Sequence, residues 1–130
     1  MSHREFCERF IASMSAGDFD ALALMLHEDF VVHEAQGLPY AGDYHGIAGW
    51  KTLSKEVIST WAAFRLKPLE FLGETADTFV VRFAISGRSR KTNKPFDSSV
   101  LELWKFSGEF LREITPYYWD THALALADAM

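Results

Sequence analysis

The chain has 130 residues and a net charge of −5, which excludes the basic footprint that general nucleic-acid binding requires. The single cysteine, Cys7, rules out an intramolecular disulfide. The N-terminus MSHREFCERF lacks the apolar region of a signal peptide, and no apolar run is long enough to span a membrane. We therefore expect one cytoplasmic domain over residues 1–130, large enough to bury its own core.

Aromatic residues are unusually abundant for a domain of this size. They make up 15% of the chain, with eleven Phe, four Trp and four Tyr. Such a surplus fits a cavity lined by rings, and it equally fits an aromatic-rich core or a dimer face.

The first half of the chain predicts three helices and one strand. Phe6, Phe10 and Met14 recur at helical spacing within 3–16. Gly17 ends that helix, and Asp18 caps a second helix over 19–27. The β-branched stretch 30–35 (FVVHEA) predicts a strand, and the glycine-rich QGLPYAGDYHG that follows predicts a loop. A third helix over 46–63 shows one broad apolar stripe, formed by Trp50, Leu53, Val57, Trp61 and Phe64.

The second half of the chain predicts an antiparallel meander. Four extended segments cover 66–75, 77–87, 96–106 and 109–118, and Ser107-Gly108 marks a tight hairpin between the last two. The end of the chain, THALALADAM, fits a short helix or a tail. Helices followed by strands indicate an α+β domain with helices on one face of a curved sheet. Both faces of the last two strands are partly apolar, as when one faces a cavity and the other a partner subunit.

Two stretches resemble a known family. The loop GLPYAG with HGIAG, and the end VLELWKFSGEFLREITPYYWDTHAL, are similar to the SnoaL-like branch of the NTF2-like superfamily, which is related to polyketide cyclases and, more distantly, to ketosteroid isomerases. The resemblance covers nearly the whole chain. It implies an NTF2-like cone, that is, a strongly curved antiparallel sheet wrapped by about three helices. It also implies a homodimer through the sheet and no obligatory cofactor. It does not fix a function, because this fold hosts many activities.

Three residues are candidates for catalysis. The resemblance places Asp120 at the position of the cyclase general acid/base, although Asp120 also fits an N-cap of the final helix. His33 faces the core if Val31 does, either as an acid/base or as a hydrogen-bonded core histidine. A metal site built from His33 and His45 lacks a third ligand at diagnostic spacing. Tyr40 either donates its hydroxyl to a substrate oxygen or packs the loop.

Six further residues are candidates for ligand contact. Glu102 alternates with Val100 and Trp104, so it either lines the pocket or pairs with Arg82 or Arg112 on a neighbouring strand. The remaining five are aromatic, and each fits a pocket wall or an ordinary core position; they are Trp50, Trp61, Phe83, Trp104 and Tyr118.

These candidates support three hypotheses of function. The first is a cofactor-independent cyclase or isomerase that acts on a small hydrophobic carbonyl compound by acid/base proton transfer. The second is a non-catalytic module that binds a similar ligand. The third is a dimeric adaptor with an occluded pocket, which the lack of a basic or low-complexity segment disfavours.

Overall fold

A computed structural model describes residues 1–129 of the protein. Four helices and six strands follow one another in chain order: α1 His3–Ser15, α2 Phe19–Met25, β1 Leu26–Glu34, β2 Gly42–His45, α3 Gly46–Thr60, β3 Trp61–Glu74, β4 Thr78–Ser89, β5 Pro95–Ser107, β6 Phe110–Tyr118 and α4 Thr121–Asp128. The α+β class and the curved sheet are confirmed, and the sheet is open. No helix in the described part of the chain is long and apolar enough to cross a membrane.

The six strands form one sheet in the order β2-β1-β6-β5-β4-β3. Four of the five pairings are antiparallel, but β1 runs parallel to β6. The expectation of an entirely antiparallel sheet is therefore wrong for the β1–β6 pairing. The reason is topological: β1 and β6 are separated by most of the chain, so no tight turn forces them to run in opposite directions.

Helix α1 forms as its sequence predicts. Ser2 and Glu5 make a capping box at its start, and Phe6, Cys7 and Phe10 are buried against the sheet. The Cys7 thiol is fully buried, and burial raises its pKa to about 12, in keeping with a packing residue. Asp18 caps α2 by accepting a hydrogen bond from the Ala21 amide at 3.1 Å.

Helix α3 packs closely on β2 at its start and turns directly into β3 at its end. A Cβ added to Gly49 would lie 2.6 Å from the backbone carbonyl carbon of Tyr44, so only glycine permits this approach. The helix ends at Thr60 instead of residue 63, because Trp61 is extended and pairs with Ser89. The register of β3 then shifts between Ala62 and Arg65, where Ala63 adopts a positive φ of 53°.

Candidate functional site

A cavity of about 680 Å³ lies between the concave face of the sheet and helices α1 and α3. Its lining is mostly apolar, and it includes two acids but no Lys, Arg or His among the described residues. Eight aromatic side chains contribute to the wall: Phe10, Phe19, Tyr40, Trp50, Phe64, Phe83, Trp104 and Tyr118. The aromatic surplus therefore serves a cavity as well as the core.

Glu34, at the end of β1, is one of the two acids. Its side chain faces the core on the same side of β1 as Phe30 and Val32, and it is only 8% exposed. Its Oε2 accepts a hydrogen bond from the Tyr118 hydroxyl at 2.9 Å. Burial raises the pKa of Glu34 to about 7, an effect that the Tyr118 hydrogen bond opposes and the charge of Glu102 reinforces.

Glu102, on β5, is the second acid of the cavity. Its Oε1 accepts a hydrogen bond from Trp104 Nε1 at 2.9 Å, and burial raises its pKa to about 7. The predicted ion pair with Arg82 or Arg112 is wrong. Arg82 instead donates to Glu70 at 2.6 Å, and Arg112 is exposed. Glu102 therefore lies in the cavity wall without a cationic partner among the described residues.

The two glutamates lie on either side of Pro116. Glu102 on β5 pairs with Pro116 on β6. On the other side of β6, Val32 of β1 pairs with Ile114. Continuing this register by two residues brings Glu34 beside Pro116. Two strand spacings put their Cα atoms about 10 Å apart. Pro116 has no N–H to offer, and the β1–β6 ladder ends just before it. A small molecule can therefore lie against Pro116 with a carboxyl on each side.

Each of these carboxyls presents one oxygen that has no hydrogen-bond partner in the part of the chain described. Tyr118 occupies one oxygen of Glu34, and Trp104 occupies one oxygen of Glu102. Because the charge on one glutamate raises the pKa of the other, the two acids do not ionise together. Near neutral pH the cavity can thus hold one carboxylate and one carboxylic acid, which is the protonation state that acid/base chemistry requires.

Tyr40 contributes to the wall of the same cavity. It is 4% exposed, and its Oη accepts a hydrogen bond from Trp61 Nε1 at 2.8 Å. Tyr44 fixes the loop by donating its hydroxyl to the Tyr40 carbonyl at 2.8 Å. Since an indole N–H can only donate, Tyr40 keeps its own proton available for another acceptor. Burial raises the pKa of Tyr40, so that proton is retained near neutral pH.

The structure separates the predicted ligand contacts into two groups. Trp50, Phe83, Trp104 and Tyr118 lie in the cavity wall beside Glu102, although contact with a ligand stays a prediction. Trp61 is not in the wall. It is fully buried behind Tyr40, which it contacts through the indole N–H.

Two of the three predicted catalytic residues lie outside the cavity wall. Asp120 is exposed, and its Oδ1 accepts a hydrogen bond from the Ala123 amide at 2.9 Å as the N-cap of α4. His33 points away from the cavity. The side chain of Val32 faces the core, so Val31 and His33 lie on the opposite face of β1. There its Nδ1 lies 2.7 Å from Asp43 and its Nε2 lies 3.1 Å from Glu113. The hydrogen bond to Asp43 raises the pKa of His33.

A curved open sheet, helices packed over its concave face and an acidic, ring-lined cavity define an α+β protein of the NTF2-like fold. More specifically, the chain belongs to the SnoaL-like domain family, whose model matches residues 7–114. This confirms the resemblance seen in its motifs. No similar sequence was found among curated proteins.

Three solved structures illustrate the range of similar folds. An NTF2-like protein from Burkholderia thailandensis has a TM-score of 0.87 at 20% identity, covering 97% of this chain and 96% of that one. TerC, co-crystallised with polyporic acid, has a TM-score of 0.78 at 20% identity, with 92% of each chain covered. A protein of ketosteroid isomerase-like fold from Catenulispora acidiphila, in complex with trimethylamine, has a TM-score of 0.73 at 13% identity, with 93% of each chain covered. At these identities the likeness shows the fold alone.

Proposed function

We propose that this protein is a cofactor-independent acid/base enzyme that moves a proton on a small hydrophobic carbonyl compound, as an isomerase or cyclase does. One observation carries the proposal: two glutamates of raised pKa share an aromatic cavity, and each has one oxygen held by a neutral donor and one open. Structural acids inside a core are usually balanced by a cation. Groups with a pKa near 7 are instead suited to proton transfer at neutral pH.

In the proposed step we assign Glu102 as the ionised group and Glu34 as the protonated one. Ionised Glu102 accepts a proton from the carbon next to the carbonyl, so that a C–H bond breaks and an O–H bond forms. The electron pair moves to the carbonyl oxygen as an enolate. The Tyr40 hydroxyl or protonated Glu34 donates a hydrogen bond to that oxygen. Return of the proton from Glu102 to a different carbon completes an isomerisation. In a cyclisation, the enolate carbon instead attacks a second carbonyl carbon of the substrate, which closes a ring, and the resulting alkoxide takes the proton from Glu102.

The lining supports a small, ring-containing substrate. Its walls are apolar and aromatic, and a volume of about 680 Å³ falls within the usual range for small-molecule pockets. TerC, which shares the fold, was crystallised with the organic compound polyporic acid. We accordingly propose that this chain also binds an organic ligand.

The proposal is tested by deuterium exchange. The protein is incubated in D₂O with a panel of aryl and bicyclic ketones such as 2-tetralone, and deuterium uptake next to the carbonyl is followed by NMR. We expect enhanced exchange that Glu102→Gln abolishes and Glu34→Gln reduces. Glu109→Gln is the matched control, because Glu109 is exposed and outside the cavity wall.

Other outcomes of this experiment favour the alternatives. Ligands that raise the melting temperature without any exchange would support the non-catalytic binding module instead. Exchange that survives both glutamine variants but is lost in Asp120→Asn would return the catalytic role to Asp120.

We also propose that the protein forms a homodimer through the outer face of the sheet. Leu101 and Tyr117 lie opposite each other on β5 and β6, and they are 38% and 59% exposed. Paired apolar side chains on a strand face are suited to burial in an interface. Sedimentation velocity tests the proposal: Tyr117→Glu should shift a dimer to monomer, and a wild-type chain that sediments as a monomer would refute it.

A further inference from the structure

The charge inside the cavity has one sign only. Its two ionisable acids, Glu34 and Glu102, face no Lys, Arg or His among the described lining residues. Their hydrogen bonds come from neutral donors, Tyr118 Oη and Trp104 Nε1. In surroundings of low dielectric constant such uncompensated carboxylates repel an anionic ligand and attract a cationic one.

The aromatic wall has the same preference. The faces of aromatic rings carry partial negative charge and attract ammonium groups within about 6 Å. Four of the wall rings are on Trp50, Trp104, Tyr40 and Tyr118, which belong to the electron-rich types that bind cations well. Rings and carboxylates together compensate an ammonium group for the loss of its hydration shell, which neither does as well alone.

We propose that this cavity binds hydrophobic amines as their protonated cations, with the ammonium group donating to the open carboxylate oxygens of Glu34 and Glu102 and the apolar part lying against the rings. This goes beyond the proposed function, because it requires neither a carbonyl group nor a proton-transfer step. It also assigns the two glutamates a role in selecting ligands by charge. Carboxylates, phosphates and sulfonates of the same size are excluded.

Three probes with the same rings and different charges test this inference: 1-naphthylmethylamine, 1-naphthylmethanol and 1-naphthoate. Thermal shift and calorimetric titration are run at about pH 8, above the pKa of about 7 of both glutamates. We expect the amine to bind most tightly and the naphthoate not to bind. Loss of one carboxylate in Glu102→Gln or Glu34→Gln should weaken amine binding about tenfold or more.

The control separates the cavity from the net charge of −5. Glu109→Gln removes the same charge from an exposed position and should leave the affinity for the amine unchanged. Naphthoate binding as tightly as the amine, equal weakening by all three variants, or no binding of the amine would each overturn the inference. If the alcohol binds and the amine does not, the inference fails while the proposed carbonyl chemistry stands.

Discussion

The burial of Glu102 makes a quantitative prediction about stability and pH. Its pKa rises from 4.5 to about 7 in the folded protein, a difference worth about 3 kcal/mol at 1.36 kcal/mol per pKa unit. Because the pKa of Glu102 is higher in the folded protein than in the unfolded chain, the folded state binds the proton of Glu102 more tightly. The stabilisation that results is fully present below pH 4.5. It is lost as the pH rises through about 7. Wild-type protein should therefore lose about 3 kcal/mol of unfolding free energy from this group across that window.

Glu102→Gln isolates the effect. Glutamine has the shape of the protonated acid and keeps an oxygen for Trp104 Nε1. The variant and the wild type should have similar stability near pH 4. Near pH 8 the variant should be more stable by about 3 kcal/mol. Urea unfolding followed by tryptophan fluorescence, repeated across the pH range, measures the difference. Parallel stability curves for the two proteins would refute the reasoning, and Glu109→Gln provides the control for a lost surface charge.

Three further substitutions test other parts of the structure. Gly49→Ala would place a Cβ 2.6 Å from a backbone carbon of β2, and it should cost about 1–3 kcal/mol in urea unfolding; Gly73→Ala, with open space around it, is its control. Asp120→Ala should lower unfolding free energy by about 1 kcal/mol through loss of the α4 cap, without changing deuterium exchange. Trp61→Phe removes the indole N–H that donates to Tyr40 Oη in the buried core, so it should lower the unfolding free energy by about 1–3 kcal/mol and slow the exchange. An unfolding free energy equal to that of the wild type would mean that this hydrogen bond does not stabilise the core.

Much of the fold could be predicted because its signals are local. The Phe6–Phe10 spacing, the Asp18 cap and the turn at Gly108 each depend on neighbouring residues, and each appears where it was expected. The end of α3 is hard to predict because Trp61 continues the apolar helical stripe in sequence but belongs to β3 in the structure. The parallel β1–β6 pairing has no local signal, since the two strands are distant in sequence and their contact depends on the complete sheet.

The site was harder to predict because it depends on which face of each strand is buried. In FVVHEA, Val31 and Val32 are equally apolar, so alternation does not decide between His33 and Glu34. The bulky Phe30 lies on the same face of β1 as Glu34. A buried Phe30 is therefore the feature of the sequence that indicates an inward-facing Glu34. The candidates on β5 were identified more directly, because Glu102 alternates with two large apolar residues that fix its face.

The parallel pairing of β1 with β6 has a consequence for how the protein folds. Strands β3 to β6 are joined in sequence by hairpins and can form contacts as soon as they are synthesised. Strand β1 is synthesised well before its β6 partner, because α3 and the strands β2 to β5 lie between them in the sequence. The acidic cavity is therefore completed only once β6 has been synthesised and has docked beside β1. Ligand binding would report that this final docking has occurred, and nascent or truncated chains lacking β6 should have no working site.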